Sequence, residues 1–324
     1  MLNLSPKCPA CDNPESIQEG RVHRFHKVSF TLYCCPRCEL FYWDPLYIDP
    51  TLYKEIEEPL YGAYHADLMG DSKMADSPLD RLPLESGRLL DIGCANGTLM
   101  LHAQNRGFEV HGIDFDSISV AKAQQKGLEN AHAMSLDEFM ISNDGQSRPL
   151  FDVITFFDVL EHQDDPQRFI RQVRELLKPG GYILGKVPNR NRFLQKVRYM
   201  LDYDYPPHHL LMWSSEALRH FLADQGFQDI VSNVPPFDFK RFIWHLEKKI
   251  LGRGLAKTLK GMVFGVDDNL ANIPCETLEK HTGKSGSLLR SLKKIEDFVF
   301  AILAAPLFPF YRHRNNHIIF SAKK

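Results

Sequence analysis

The chain has 324 residues, 44% hydrophobic and 25% charged, which is room for two ordinary domains and excludes fibrous or disordered composition. The net charge of −2 hides an asymmetry: residues 238–324 carry 16 Lys+Arg against 8 Asp+Glu, or +8, and the first 237 carry 23 against 33, or −10. A globally basic nucleic-acid binder is disfavoured, while a basic C-terminal surface is not.

The opening residues, MLNLSPKCPACDNP, hold neither a basic leader nor an apolar run, so an unexported, cytoplasmic chain with reduced thiols is expected. Cys8-Pro-Ala-Cys11 is followed by Cys35-Pro-Arg-Cys38. Each pair can grip one ion, and two such turns complete a tetrahedral shell of four sulfurs, which suits Zn2+. Between them Val28–Tyr33 alternates as a strand does. Residues 1–48 are therefore predicted to form a zinc ribbon. Cys8, Cys11, Cys35 and Cys38 are its ligands, and the closed shell makes the zinc structural. Cys34 is a spare thiol. Residues 49–84 read as a helical lid or linker, with Tyr61 and Tyr64 able to close over a site.

From Arg88 onward strands and helices alternate. Strands are predicted at 88–92, 108–113, 151–157, 182–187 and 227–234, and helices at 98–106, 117–126, 166–177 and 214–225, with a turn at Lys178–Gly181. This alternation predicts an α/β fold with a parallel sheet covered on both faces and a ligand outside the carboxyl ends of the strands. The first strand runs into Leu90-Asp-Ile-Gly-Cys-Ala-Asn-Gly97, where glycines let the backbone approach a ligand. The second ends at Asp114, placed to accept hydrogen bonds from two ribose hydroxyls, so a nucleoside ligand is indicated. No Walker lysine follows the glycines, which argues against a triphosphate.

Leu89–Gly97, Phe151–His162 and Leu177-Lys-Pro-Gly-Gly181 together resemble class I S-adenosylmethionine-dependent methyltransferases, over residues 85–235 or so. That resemblance implies a Rossmann-like seven-stranded sheet whose last strand is antiparallel. His317–Ser321 is the candidate for that strand, so residues 85–236 plus 315–324 form the methyltransferase domain and 237–314 an insertion before its end. It implies that Gly93, Ala95 and Gly97 line the amino-acid part of S-adenosyl-L-methionine, with Asp91 beneath the turn. Asp114 would hold the ribose, Ser135 and Leu136 would flank the adenine, and Phe157 would sit beside the methionine moiety.

Methyl transfer needs an acceptor lone pair in line with the sulfonium methyl, and a base helps when the acceptor is a hydroxyl or an acidic carbon. Candidate catalytic residues are His162 after the fourth strand and His208 and His209 in a long loop after the fifth. Asp202 and Asp204 are available to orient a histidine. The insertion interleaves Phe239, Phe242, Ile243, Leu246 and Ile250 with lysines and Arg241, a pattern suited to an anionic membrane surface or to a second subunit. The apolar run Phe298–Tyr311 falls short of the ~20 residues that a membrane span needs. A small-molecule, saccharide or lipid-linked acceptor is the leading expectation. An RNA methyltransferase gripping RNA with the ribbon, or a non-catalytic scaffold, are the alternatives.

Overall fold

A computed structural model describes residues 5–47, 78–142, 150–192, 204–235 and 317–324. All of them fall in one compact unit comprising residues 1–65, 71–235 and 316–324. Tyr61, Tyr64, Asp202 and the basic insertion lie outside the described residues. Of the predicted linker, Pro78–Arg81 forms a short 3-10 turn. Among the described residues no helix is long and apolar enough to cross a membrane.

Two sheets organise the unit. The first begins with β1 (Ile17–Phe25), β2 (Val28–Cys34) and β3 (Phe41–Asp44), paired antiparallel. The second contains β4 (Gly87–Ile92), β5 (Phe108–Asp114), β6 (Ala131–Ala133), β7 (Phe151–Phe157), β8 (Leu177–Pro188), β10 (Gln228–Asn233) and β11 (His317–Lys323), in the order β10-β11-β8-β7-β4-β5-β6. β4 to β8 are parallel, and β11 is antiparallel to both β8 and β10. This is the Rossmann-like methyltransferase sheet, with its last strand antiparallel as expected. The chain steps outward from β4 through β5 to β6 and then returns to β7 on the other side. The carboxyl end of β4 is therefore the switch point where such sheets open a crevice.

Local sequence explains the elements. β4 is buried on both faces from Leu89 to Ile92, as a central parallel strand must be. The helices are α1 (Thr98–Asn105), α2 (Ser117–Gln125), α3 (Leu136–Ser142), α4 (Pro166–Leu176) and α5 (Ser215–Asp224). α4 starts from Asp165, whose side chain accepts from the Arg168 N–H, with Pro166 in the first turn; it buries Phe169, Ile170, Val173 and Leu176 along one stripe. α5 is capped by Ser214 and buries Ala217, Leu218, Phe221 and Leu222. The predicted turn at Lys178–Gly181 is an irregularity inside β8. Leu177 pairs with Phe151, the register shifts, and Tyr182 then pairs with Val153.

Neither α3 nor the next short strand is among the predicted elements. Two residues of the segment after β8, β9 (Leu211–Met212), add a fourth strand to the N-terminal sheet, with Met212 opposite Phe41 and Leu211 opposite Tyr42. The ribbon is therefore not a free-standing knob. Its Trp43 and Leu40 share one core with Phe156, Ile170 and Trp213 of the larger sheet and its helices. Gln167 on α4 donates to the Pro9 carbonyl at 3.2 Å and to Asp12 at 3.1 Å, and Arg190 donates to the Glu39 carbonyl at 2.7 Å.

Within the large sheet, Phe320 of β11 lies over Gly185 of β8, and a Cβ there would run into its ring. Gly185→Val is expected to cost about 2–3 kcal/mol of stability by overpacking. Phe320→Leu in the same chain should return part of that loss, a coupling of about 1 kcal/mol or more in urea denaturation. Strictly additive effects would contradict the close packing.

Candidate functional site

The loop after β4 is shaped by its hydrogen bonds. The N–H groups of Gly93 and Cys94 donate to the Ile113 carbonyl at 2.8 and 3.1 Å. Gly97 enters α1 with φ 77°, and a Cβ there would run into Leu128 and lie 3.0 Å from the Ala123 Cβ, so only glycine fits. Ala95 is left-handed at φ 44°, and its N–H donates to Asp114 Oδ2 at 2.8 Å. The other oxygen of Asp114 accepts from the Asp116 N–H at 2.8 Å. A carboxylate has about four acceptor positions, so each oxygen keeps capacity for a ribose hydroxyl. Burial raises the pKa of Asp114 from its ordinary value, and the nearby N–H donors of Asp116 and Ala95 oppose that rise.

Asp91 lies beneath this loop, 3% exposed, and accepts from the Thr155 hydroxyl at 2.6 Å. Burial pushes its pKa up to about 7; the Thr155 bond works against this and the Asp114 charge adds to it. Ser135 and Glu138 form a reciprocal capping box at the start of α3: Ser135 N–H and hydroxyl donate to Glu138 Oε2 at 2.7 and 2.8 Å, and Glu138 N–H donates back at 3.0 Å. The Ser135 hydroxyl is thereby committed to the helix, and the Leu136 side chain is buried in the core. These two positions can face an adenine with backbone rather than side chains. Phe157, half-buried at the tip of β7, has the Lys186 ammonium 6.0 Å from its ring centroid.

The second edge of the crevice follows β7. A 3-10 turn, Leu160–His162, carries Glu161 and His162. His162 Nδ1 is 2.5 Å from the His208 carbonyl, and its ring meets that of His209 edge-on, centroids 4.9 Å apart. Burial and then the neighbouring His209 hold the pKa of His162 down at about 3, so its ring stays neutral at physiological pH. His209 Nδ1 is 3.4 Å from Asp204, which is also paired with Arg192 in a buried contact. Burial opposes the charge of Asp204, but His209 and Arg192 prevail and its pKa stays below the ordinary carboxylate range. Arg190, Arg192, Asp204, His209, Leu211 and Met212 line a small cleft here with Pro188. The structure thus brings His162 and His209 together, while His208 contributes its carbonyl. Glu161, next to His162 in the sequence, and Arg192 are the site residues that pattern reading passed over. Adjacency to His162 was the one available signal for Glu161, and nothing marks Arg192.

The four cysteines converge as expected. Cys8 and Cys38 sulfurs are 3.5 Å apart, and Cys11 and Cys35 sulfurs 3.6 Å. These are free thiols at the separation of ligands sharing one tetrahedral ion, with Zn–S bonds of about 2.3 Å. Burial raises Cys11 to about 12. Cys35 comes down to about 7, because N–H donors from Cys38 and Arg37 and the Asn13 amide outweigh its burial. Such a set suits thiolates stabilised by a cation.

Sheet order, switch point and the Asp91–Asp114 edge define a class I S-adenosylmethionine-dependent methyltransferase fold. Residues 69–232, half of the sequence, match the methyltransferase-domain family, and the chain belongs to it. Ubiquinone biosynthesis O-methyltransferases of Alkalilimnicola ehrlichii and Pectobacterium carotovorum are 34% and 32% identical over 109 and 139 residues, covering 33% and 39% of this chain and 44% and 56% of theirs. The chain thus spans about half the length of the curated relatives it matches. A phosphoethanolamine N-methyltransferase of Haemonchus contortus, solved with phosphomonomethylethanolamine and S-adenosylhomocysteine, shares the fold with a TM-score of 0.51 at 15% identity, over 94% of this chain and 71% of that one.

The buried acid at the switch point sets a pH dependence. The folded pKa of Asp91 is raised above its unfolded value of 3.8. Between those values the native state holds a proton that the unfolded state has shed, so this residue's contribution to stability is lost as pH rises from about 4 to about 7. Asp91→Asn does not titrate, and it is expected to gain on the wild type across that interval by up to about 4 kcal/mol. Urea midpoints at several pH values read the difference, and a gap that does not change with pH would show that Asp91 ionises normally.

Proposed function

We propose that the protein transfers the methyl group of S-adenosylmethionine to a hydroxyl oxygen of a small-molecule acceptor, with zinc on Cys8, Cys11, Cys35 and Cys38 as a structural brace. The observation that carries this reading is Asp114. Its carboxylate ties the tip of β5 to the loop after β4 through the Ala95 N–H and still has acceptor positions for a ribose. The donor supplies an electrophilic methyl on a positively charged sulfur, and the acidic edge of Asp91 and Asp114 favours that charge.

The acceptor side is polar. His209, oriented by Asp204, borders a cleft that also holds Arg190 and Arg192. That is suited to orienting a hydroxyl and stabilising the charge it develops as its proton leaves. The ubiquinone O-methyltransferase relatives support oxygen as the acceptor atom. The ribbon's role is positional, since its third strand pairs with the strand that follows His209.

Asp114→Ala is expected to weaken S-adenosylhomocysteine binding about 10–100-fold by calorimetry, the loss of charge-assisted hydrogen bonds. Normal affinity would contradict the ribose assignment. Incubating the protein with methyl-labelled S-adenosylmethionine and a cell extract should put label in the small-molecule fraction, and His209→Ala should reduce it about 100-fold or more. Label in RNA or protein would overturn the acceptor class.

A further inference from the structure

Beside His162 and His209 lies a buried carboxyl group that no hydrogen-bond donor among the described residues meets. Glu161 is 1% exposed, and neither of its oxygens has a hydrogen-bond partner among the described residues. The cations near it are engaged elsewhere: Lys186 with Asp158 at 2.5 Å, and Arg192 with Asp204. An unanswered buried carboxylate is costly. Glu161 Oε1 is 3.9 Å from His162 Nε2, and one ligand atom from each of Glu161, His162 and His209 lies within 4.8 Å of the others.

Both imidazoles are set as metal ligands are. His162 Nδ1 faces the His208 carbonyl and His209 Nδ1 faces the Asp204 carboxylate, oxygens that only accept. In its neutral form each ring therefore carries its proton on Nδ1 and its lone pair on Nε2. A carbonyl or carboxylate behind a histidine is how proteins fix the tautomer and raise the basicity of a ligating ring. With bonds of about 2.1 Å, ligands of one ion sit about 3–4 Å apart, so the three donors need to close by about 1–2 Å at most.

We propose that Glu161, His162 and His209 form a second metal site, separate from the four cysteines, which holds one divalent ion of the manganese-to-zinc series with positions left for acceptor oxygen. Two imidazoles and one carboxylate are a donor set for such ions. The site adjoins the donor loop, since a Cβ at Gly93 would lie 2.6 Å from Val159, just before the Glu161 turn. The ion site stands on this geometry alone; its role rests on the methyl-transfer reading above. There, an acceptor hydroxyl binds the ion and loses its proton to solvent. The resulting oxyanion donates a lone pair to form the new C–O bond, and the C–S pair stays on sulfur, leaving a neutral thioether. The ion is neither oxidised nor reduced.

The test uses the full chain with its zinc in place, and Mn2+ as the probe. Titration followed by electron paramagnetic resonance should show one Mn2+ bound per chain, with spin-echo modulation from two imidazole nitrogens. Zinc content should not change, because manganese is a poor competitor for thiolates. Glu161→Gln should weaken Mn2+ binding about 100-fold and, without added manganese, melt no lower than the wild type, since the amide removes the buried charge. Free Mn2+ throughout the wild-type titration, a bound ion without nitrogen modulation, or equal binding by Glu161→Gln would each overturn the site. The spin-echo measurement needs only wild-type protein, so it decides even if the variant folds poorly. Calorimetry with S-adenosylhomocysteine on the wild type tests the donor reading separately.

Discussion

Leu210 joins the two halves of the unit. Its N–H donates to the Glu161 carbonyl and its carbonyl accepts from the Trp43 N–H, both at 2.9 Å. One residue thus bridges the turn after β7 and β3 of the ribbon, and His209 is the residue just before it. Where His209 sits depends on both partners. Leu210 is fully buried, so neither bond could be exchanged for water without loss. The aromatic set around it, with His23 and Tyr205 stacked at 4.7 Å and Trp43 5.9 Å from Tyr205, fixes the same segment from the ribbon side.

The crevice is acidic by construction. Asp91, Asp114 and Glu161 all have raised pKa values, burial being the first cause in each case. Carboxylates held out of water without full compensation make the protein less stable than it could be, and strain of this kind is characteristic of functional sites. On the readings proposed above, positive charge arriving with ligands would relieve it: the sulfonium of the donor near Asp91 and Asp114, and a divalent ion at Glu161. Binding energy is then available where the protein alone has a deficit. The basic residues of the described site are set back: Arg192 is paired to Asp204, and Arg190 lies 4.1 Å over the Phe41 ring.

Much of this was readable from the chain. Strands β4, β5 and β7 and the helices α1 and α2 announce themselves because a parallel sheet imposes continuous apolar runs and helices impose a 3.6-residue period, whereas the short α3 does not. The four cysteines were legible because two C-x-x-C turns have few other uses, Gly97 and Asp114 because backbone geometry at a switch point restricts residue choice, and Asp91 through the family resemblance alone. Asp204 beside His209 was also within reach. β9 was not, since two residues have no period, and its pairing is decided by ribbon residues about 170 positions earlier. Glu161 was passed over because an acid beside a histidine reads as a solvated loop. Only the buried setting shows it to be unmatched. Ser135 was read as flanking a ligand, and what the sequence did not show is that its hydroxyl also caps α3, accepting from the Glu138 N–H.

Magnitudes explain why a ribbon should be attached to such a domain at all. Ordering the nine residues from Asp204 to Met212, which include β9, costs on the order of 10–15 kcal/mol in backbone entropy, and much of what offsets it is contact with the ribbon: the Trp43–Leu210 bond, the β3–β9 pairing and the stacking of Tyr205 on His23. Zinc held by four thiolates contributes about 10–16 kcal/mol to folding in small metal domains. With zinc bound as proposed, β3 becomes a rigid edge, and β9 docks to it at little further entropic cost. If His209 borders the acceptor site as proposed, the metal is coupled to that site without touching it, through the bond between Trp43 and Leu210.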